Sequence, residues 1–197
     1  AQGYKDVKER SAVVRFKVKD EDAYFLAWTT TPWTLPSNIA LCVNPDEDYA
    51  KVKAADGYTY YMATALLDTV LGKLGKDGAP AYEVLETYKG RDLEYKEYEP
   101  LFECAKNVAD KQHKKAFFVL CDTYVTMGDG TGVVHIAPAF GEDDARVCRK
   151  YGIHRSPDCL SRMPIPRCCS GWTREDSFSM RPSSSTAILI AGDAERL

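Results

Sequence analysis

The strongest restriction on the fold is a succession of short apolar runs, each ended by a turn signal, with little room for long helices. Ser11–Lys19 alternates cleanly, with Val14, Phe16 and Val18 on one face and Arg15, Lys17 and Lys19 on the other. That period of two predicts a half-buried strand. Asp20-Glu21-Asp22 supplies its turn, and Ala23–Trp28 is a second strand running into threonines. Ile39–Val43, Tyr49–Lys53 and Tyr58–Ala63 follow, separated by Asn-Pro-Asp and Asp-Gly signals. Thr64–Leu74 has helical spacing, with Thr64 as N-cap and Leu67, Val70, Leu71 and Leu74 on one side. Pro80–Tyr88 and Lys115–Asp122 read as strands. The glycine turn Met127–Gly132 feeds the apolar strand Val133–Ala137, and Glu142–Tyr151 reads as a helix with Val147, Cys148 and Tyr151 on its apolar face. Many short strands with few helices predict a mainly β, α+β domain: a closed or nearly closed β-barrel with peripheral helices.

The composition is not uniform along the 197 residues. Residues 1–153 hold fifteen Lys, five Arg, two Ser and all twelve Tyr; residues 154–197 hold no Lys, six Arg, eight Ser and no Tyr. The tail shows no period except in the short run Thr186–Ala191. Residues 1–153 are therefore expected to be one domain. Residues 154–197 are an atypical tail, expected to pack poorly or to be foreign to the fold through a frame shift, mis-splicing or an artificial end; a flexible linker is the other reading. The start, AQGYKDVKER, lacks a Met and an apolar leader and reads as part of a longer protein.

Several functional classes drop out at this stage. The net charge of −3 disfavours bulk electrostatic binding of nucleic acid, so any such contact must be local. No apolar stretch approaches the ~20 residues of a membrane helix. Cys42, Cys104, Cys121 and Cys148 are scattered, as in a reduced intracellular protein. Cys159, Cys168 and Cys169 lack the partners of a zinc site, and His113 sits in a solvated KQHKK run. There is no GxSxG elbow, phosphate loop or GxGxxG fingerprint.

Two segments carry chemistry. Trp28–Asn38, WTTTPWTLPSN, crowds hydroxyl and amide side chains onto a backbone stiffened by Pro32 and Pro36. Such an edge suits a ribose, a carbonyl or a water, although a polar turn is an equal fit for the residues alone. Gly128–Asp144, GDGTGVVHIAPAFGEDD, runs from a glycine turn through a strand bearing His135 to aspartates at a helix start. His135 alternates with Val134 and Ile136; by itself it could be a core histidine, and Asp143 or Asp144 a helix cap.

Together, TTTPWTLPSN and GTGVVHIAPAFGEDD resemble the paired signature of the editing domain inserted into isoleucyl-tRNA synthetase, in its eukaryotic cytosolic form. The leucyl and valyl relatives carry Arg-Pro after the threonines, whereas Thr31-Pro32-Trp33-Thr34 follows the isoleucyl pattern. The resemblance covers residues 1–153 and stops at Ile153. It implies a class I synthetase editing fold, cytoplasmic location and action in cis with an ATP-binding parent enzyme. One methylene distinguishes isoleucine from valine by only ~1–3 kcal/mol, a limit for which this synthetase is itself the standard illustration. The resemblance implies a second pocket that makes up the shortfall by hydrolysing Val-tRNA(Ile), and valyl-adenylate with it.

By the same resemblance Asp144 would anchor the α-ammonium, and His135 would line the side-chain pocket, exclude isoleucine and help place water. Thr29, Thr30, Thr31, Thr34 and Asn38 would contact ribose, carbonyl and water, with Trp33 shaping the wall. Water is the nucleophile, and no metal or cofactor is implied. The partners would be the mischarged tRNA 3′ end and the rest of the synthetase, with no membrane. Rival readings are a tRNA 3′-end binding module without hydrolysis, and a valyl or leucyl editing domain. No HIGH-like or KMSKS-like motif occurs, so the chain holds no synthetic site.

Overall fold

Among the described residues, two sheets rather than one closed barrel organise the fold. The computed structural model describes residues 12–75, 80–102, 115–153 and 188–190. In chain order the strands are β1 (Ala12–Lys17), β2 (Tyr24–Thr29), β3 (Ala40–Val43), β4 (Asp48–Ala54), β5 (Thr59–Ala63), β6 (Tyr82–Lys89), β7 (Val119–Cys121), β8 (Val133–Ile136) and β9 (Ile188–Ile190). The larger sheet has the order β6-β4-β5-β2-β1-β9, and the smaller one β7-β3-β8. Isolated bridges, Val18 to Tyr98 and Glu97 to Phe118, link the end of β1 to the entry into β7. They leave β6 and β9 as sheet edges, so the expected closure is corrected to an open pair of sheets.

Chain crossings explain the departure. β2 pairs β5 in parallel, and β3 pairs β7 in parallel. Parallel neighbours cannot be joined by a tight hairpin and need an intervening crossover. After β2 the chain leaves the larger sheet, passes through a 3-10 turn at Pro32–Ser37, and becomes the central strand of the smaller one. Pro32 occupies the first turn, where its missing N–H costs nothing.

The main core lies on the larger sheet and includes the fully buried Phe16, Phe25, Tyr49, Tyr60 and Tyr61. Full burial of a large apolar side chain contributes about 1.5–3 kcal/mol. Tyr49 also needs partners for its hydroxyl: it donates to the Gly132 carbonyl at 2.6 Å and accepts from the Asn44 N–H at 2.9 Å. Gly132, at φ +71°, could carry no side chain there, since a Cβ would lie 2.4 Å from that of Ala63. A second cluster joins Ala40, Cys42, Leu120 and Ile136 to Val147 and Cys148.

Several local expectations need correction. β1 is not half-buried: Arg15 is 8% exposed, covered by the Tyr58 ring and bonded to the Tyr60 hydroxyl. Thr64–Leu74 is not one capped helix. It divides into 3-10 turns at Thr64–Leu66 and Gly72–Leu74 around a single-turn helix α1 (Leu67–Leu71), and Thr64 makes no capping bond. Lys115–Asp122 contracts to β7. The other strands and the helix α2 (Glu142–Lys150) lie where the periodicity puts them, within a residue or two. His113, Cys159, Cys168 and Cys169 lie outside the described residues.

Within the tail, the backbone of β9 pairs antiparallel with Ala12–Val14. It falls in the one tail run that shows periodicity. Three residues at a sheet edge contribute little, so a chain ending just after the buried Ile153 is expected to keep its melting temperature within a few degrees. A fall of about ten degrees or more, measured by calorimetry, would mean that the tail supports the fold.

Candidate functional site

The crossover after β2 and the end of β8 meet at the seam between the sheets. Thr29, the last residue of β2, is buried, and its hydroxyl accepts the Thr31 N–H at 3.0 Å. This short loop of hydrogen bonding turns the chain out of its sheet. The Thr29, Thr31 and Thr34 hydroxyls form a row, with 3.4 Å between successive oxygens. Thr34 donates to the Thr31 carbonyl at 2.8 Å, and its oxygen lies 3.0 Å from His135 Nε2. That last contact joins the two sequence segments across 101 residues.

His135 stands on β8 opposite Leu41 of β3 and is 7% exposed. Burial lowers its pKa to about 4, so the ring is neutral at physiological pH. Its Nδ1 is buried without a hydrogen-bond partner among the described residues. An orphaned acceptor of this kind costs about 1–3 kcal/mol unless a ligand or water meets it. The pH consequence has a definite sign. An unfolded histidine takes up its proton near about pH 6.5, well above the folded ring, so stability from this group is present above that value and falls as pH drops toward 4. The His135 ring resonances are expected to remain those of neutral imidazole from about pH 8 to pH 5. An NMR titration midpoint near the ordinary histidine value would show the ring to be solvated.

Asp144 lies in the first turn of α2, one of three acidic residues there, while Arg149 and Lys150 occupy the last turn. Both ends complement the helix dipole. Neither Asp143 nor Asp144 caps the helix through its side chain; the N-cap is Gly141. Asp144 Oδ2 accepts the Ala137 N–H at 2.8 Å, which ties the carboxylate to the chain two residues beyond His135. Its Oδ1 has no partner among the described residues. Burial raises its pKa, and Asp143 adds to that, while the Ala137 N–H opposes it. Asp143 instead is exposed and pairs with Arg146.

The predicted site residues thus fall into groups. Thr29, Thr31, Thr34 and His135 are linked directly, and Asp144 joins them through the backbone of residues 135–137. Thr30 is half-buried beside them, and Trp33 is 54% exposed at the edge of the turn. Asn38 is buried with both ends of its amide bonded: it donates to the Ala40 carbonyl at 2.8 Å and accepts the Tyr98 hydroxyl at 2.6 Å. Sequence reasoning missed Tyr98, whose partner is 60 residues away and leaves no local signal. It also missed Gly141 as a separate requirement. A Cβ on Gly141 would sit 2.9 Å from Asp144 Cγ and about 3.1 Å from both its oxygens, so only a bare Cα leaves the carboxylate its place. Among the described residues, no group of three His, Cys, Asp or Glu could hold a metal ion.

Comparison with known proteins adds the lineage. The chain aligns with the editing domain of the cytosolic leucyl-tRNA synthetase of P. knowlesi at a TM-score of 0.56, with 18% identity, covering 77% of this chain and 66% of that one. The corresponding P. falciparum domain gives a TM-score of 0.57 and 14% identity, covering 73% and 67%. The fold is that of a class I synthetase editing domain. In sequence, isoleucine–tRNA ligase of Clostridium acetobutylicum is 50% identical over 154 residues, and that of Clostridium kluyveri 48% over 153, each match covering 78% of this chain. The homologues of this editing-type chain are isoleucine–tRNA ligases. No family model matches. The chain spans 13–14% of the length of these ligases. Both are bacterial, and the expected eukaryotic cytosolic form draws no support from them.

Proposed function

We propose that this chain is the editing portion of an isoleucyl-tRNA synthetase and hydrolyses the ester of Val-tRNA(Ile) while refusing Ile-tRNA(Ile). The observation that carries the reading is the contact of Thr34 with His135, which brings the threonine segment and the histidine strand into one site. Half-identity to isoleucine–tRNA ligases supports the isoleucyl assignment over a leucyl or valyl one.

In this reading the free oxygen of Asp144 receives the α-ammonium as a charge-assisted hydrogen bond. Thr30 donates its hydroxyl to the ester carbonyl, polarising it as charge develops, and the Thr29 and Thr31 oxygens offer lone pairs to the ribose hydroxyls and the bound water. The neutral, immobile His135 ring fills the space that isoleucine's extra methylene would need. A ring with so low a pKa is a poor general base, so positioning of a bound water does most of the catalytic work. Trp33 forms the outer wall. Asn38, held by Tyr98 and the Ala40 carbonyl, fixes the end of the turn and keeps a second amide N–H for the ribose. The same pocket would take valyl-adenylate if that intermediate reaches it. The reading further places the chain in the cytoplasm, in cis with the remainder of the ligase, which delivers the tRNA end. No described helix is long and apolar enough to cross a membrane.

The test is deacylation of Val-tRNA(Ile) and Ile-tRNA(Ile) by the full-length ligase containing this segment and by the 197-residue chain alone. The valyl ester is expected to be hydrolysed and the isoleucyl ester spared by the full-length enzyme. Binding of the tRNA end without hydrolysis of either ester would reduce the domain to a docking module.

A further inference from the structure

The proton positions around Thr34 follow from its partners. A hydroxyl has one proton, and a carbonyl oxygen can only accept. Thr34 lies 2.8 Å from the Thr31 carbonyl, so its proton points there. Only lone pairs then remain to face His135 Nε2 at 3.0 Å, and the ring nitrogen must supply the proton of that bond. The Thr31 hydroxyl, 3.4 Å from Thr34 Oγ1, can only donate to it, and Thr29 in turn can donate to Thr31. The whole row therefore runs one way and ends on the Thr31 carbonyl. A neutral imidazole protonated at Nε2 has a bare Nδ1, which matches the buried ring nitrogen without a partner.

We infer that Thr34 is a specificity-positioning residue: its hydroxyl locks His135 as the Nε2–H tautomer in one ring orientation and leaves Nδ1 as the bare, buried nitrogen. This moves Thr34 from the set of substrate contacts to the support of the residue that sets pocket size. The consequence for substrate choice rests on the editing reading, whereas the tautomer does not. Thr34→Val keeps the volume and removes the hydroxyl, freeing the ring to rotate and to carry its proton on either nitrogen. Thr34→Ser keeps the hydroxyl.

The experiment reads both levels. Nitrogen-15 NMR of the histidine rings of the 197-residue chain, with His135 assigned from the spectrum of His135→Gln, is expected to show Nε2 protonated and Nδ1 bare. Thr34→Ser should preserve that pattern, and Thr34→Val should yield a mixture of tautomers. In the full-length ligase, Thr34→Val should raise the ratio of Ile-tRNA to Val-tRNA hydrolysis by about tenfold, and Thr34→Ser should restore it. A wild-type ring protonated at Nδ1, or a Thr34→Val ring and hydrolysis ratio both unchanged, overturns the inference. If the wild-type ligase hydrolyses neither ester, the editing reading falls, and the ring spectra still decide the role of Thr34.

Discussion

Asp144→Ala is expected to lose affinity for a non-hydrolysable valyl-adenosine analogue by about 10–150-fold, because a charged hydrogen bond is worth about 1.5–3 kcal/mol. The fold should survive, since among the described residues the Asp144 side chain makes one hydrogen bond, to the Ala137 N–H. Asp143→Ala is the matched control. Its carboxylate is exposed and among the described residues pairs with Arg146, a contact of a kind that adds little measurable stability. Titration calorimetry and melting curves on both variants separate the roles. If Asp143→Ala loses the ligand and Asp144→Ala keeps it, the wrong carboxylate has been assigned. The pH arm has a fixed sign. The carboxylate must be ionised to hold an ammonium, and burial raises the pKa of Asp144. Analogue binding should therefore begin to fail, as pH drops, above the range where an ordinary carboxylate is protonated.

His135→Ala should change which ester is hydrolysed. Removing a ring that is 7% exposed opens space in a packed seam, and one methylene of fit is worth ~1–3 kcal/mol. In the full-length ligase, Ile-tRNA hydrolysis is expected to rise by about 10–150-fold relative to Val-tRNA hydrolysis, which continues. Equal loss of both activities would instead make the ring part of the hydrolytic step or a support of the fold.

Local order was legible wherever it had a local cause. β1 follows from alternation over a few residues, β4 and β5 from short runs between turn signals, β8 from an apolar run after a glycine turn, and α2 from an apolar face of Val147 and Cys148 behind an acidic start. The partition into two sheets was not legible. It depends on pairings such as Tyr24 with Tyr60 and Leu41 with Val119, for which neither strand carries a signal in its own sequence. Arg15 illustrates the same limit, because alternation assigns it to the outer face and cannot foresee the Tyr58 ring over it or the Tyr60 hydroxyl that it bonds. At the candidate site, the two segments singled out by their residue types meet in the fold through Thr34 and His135. What each side chain does there was set by partners such as Tyr98 for Asn38 and the Thr31 carbonyl for Thr34, both invisible before the chain is folded.

The 101-residue separation between Thr34 and His135 also has a kinetic meaning. Closing a loop of that size costs chain entropy that grows as about (3/2)RT ln n, and no contact between the ends repays it until both sheets have formed. Site assembly is therefore a late event in folding, whereas the hairpin of β1 and β2 can form early from neighbouring residues. During translation, an emerging chain that already displays every threonine of the crossover still has no pocket. It acquires one only after β8 and the first turn of α2 have left the ribosome and docked. A chain truncated before β8 thus carries the threonine half of the candidate site without its histidine.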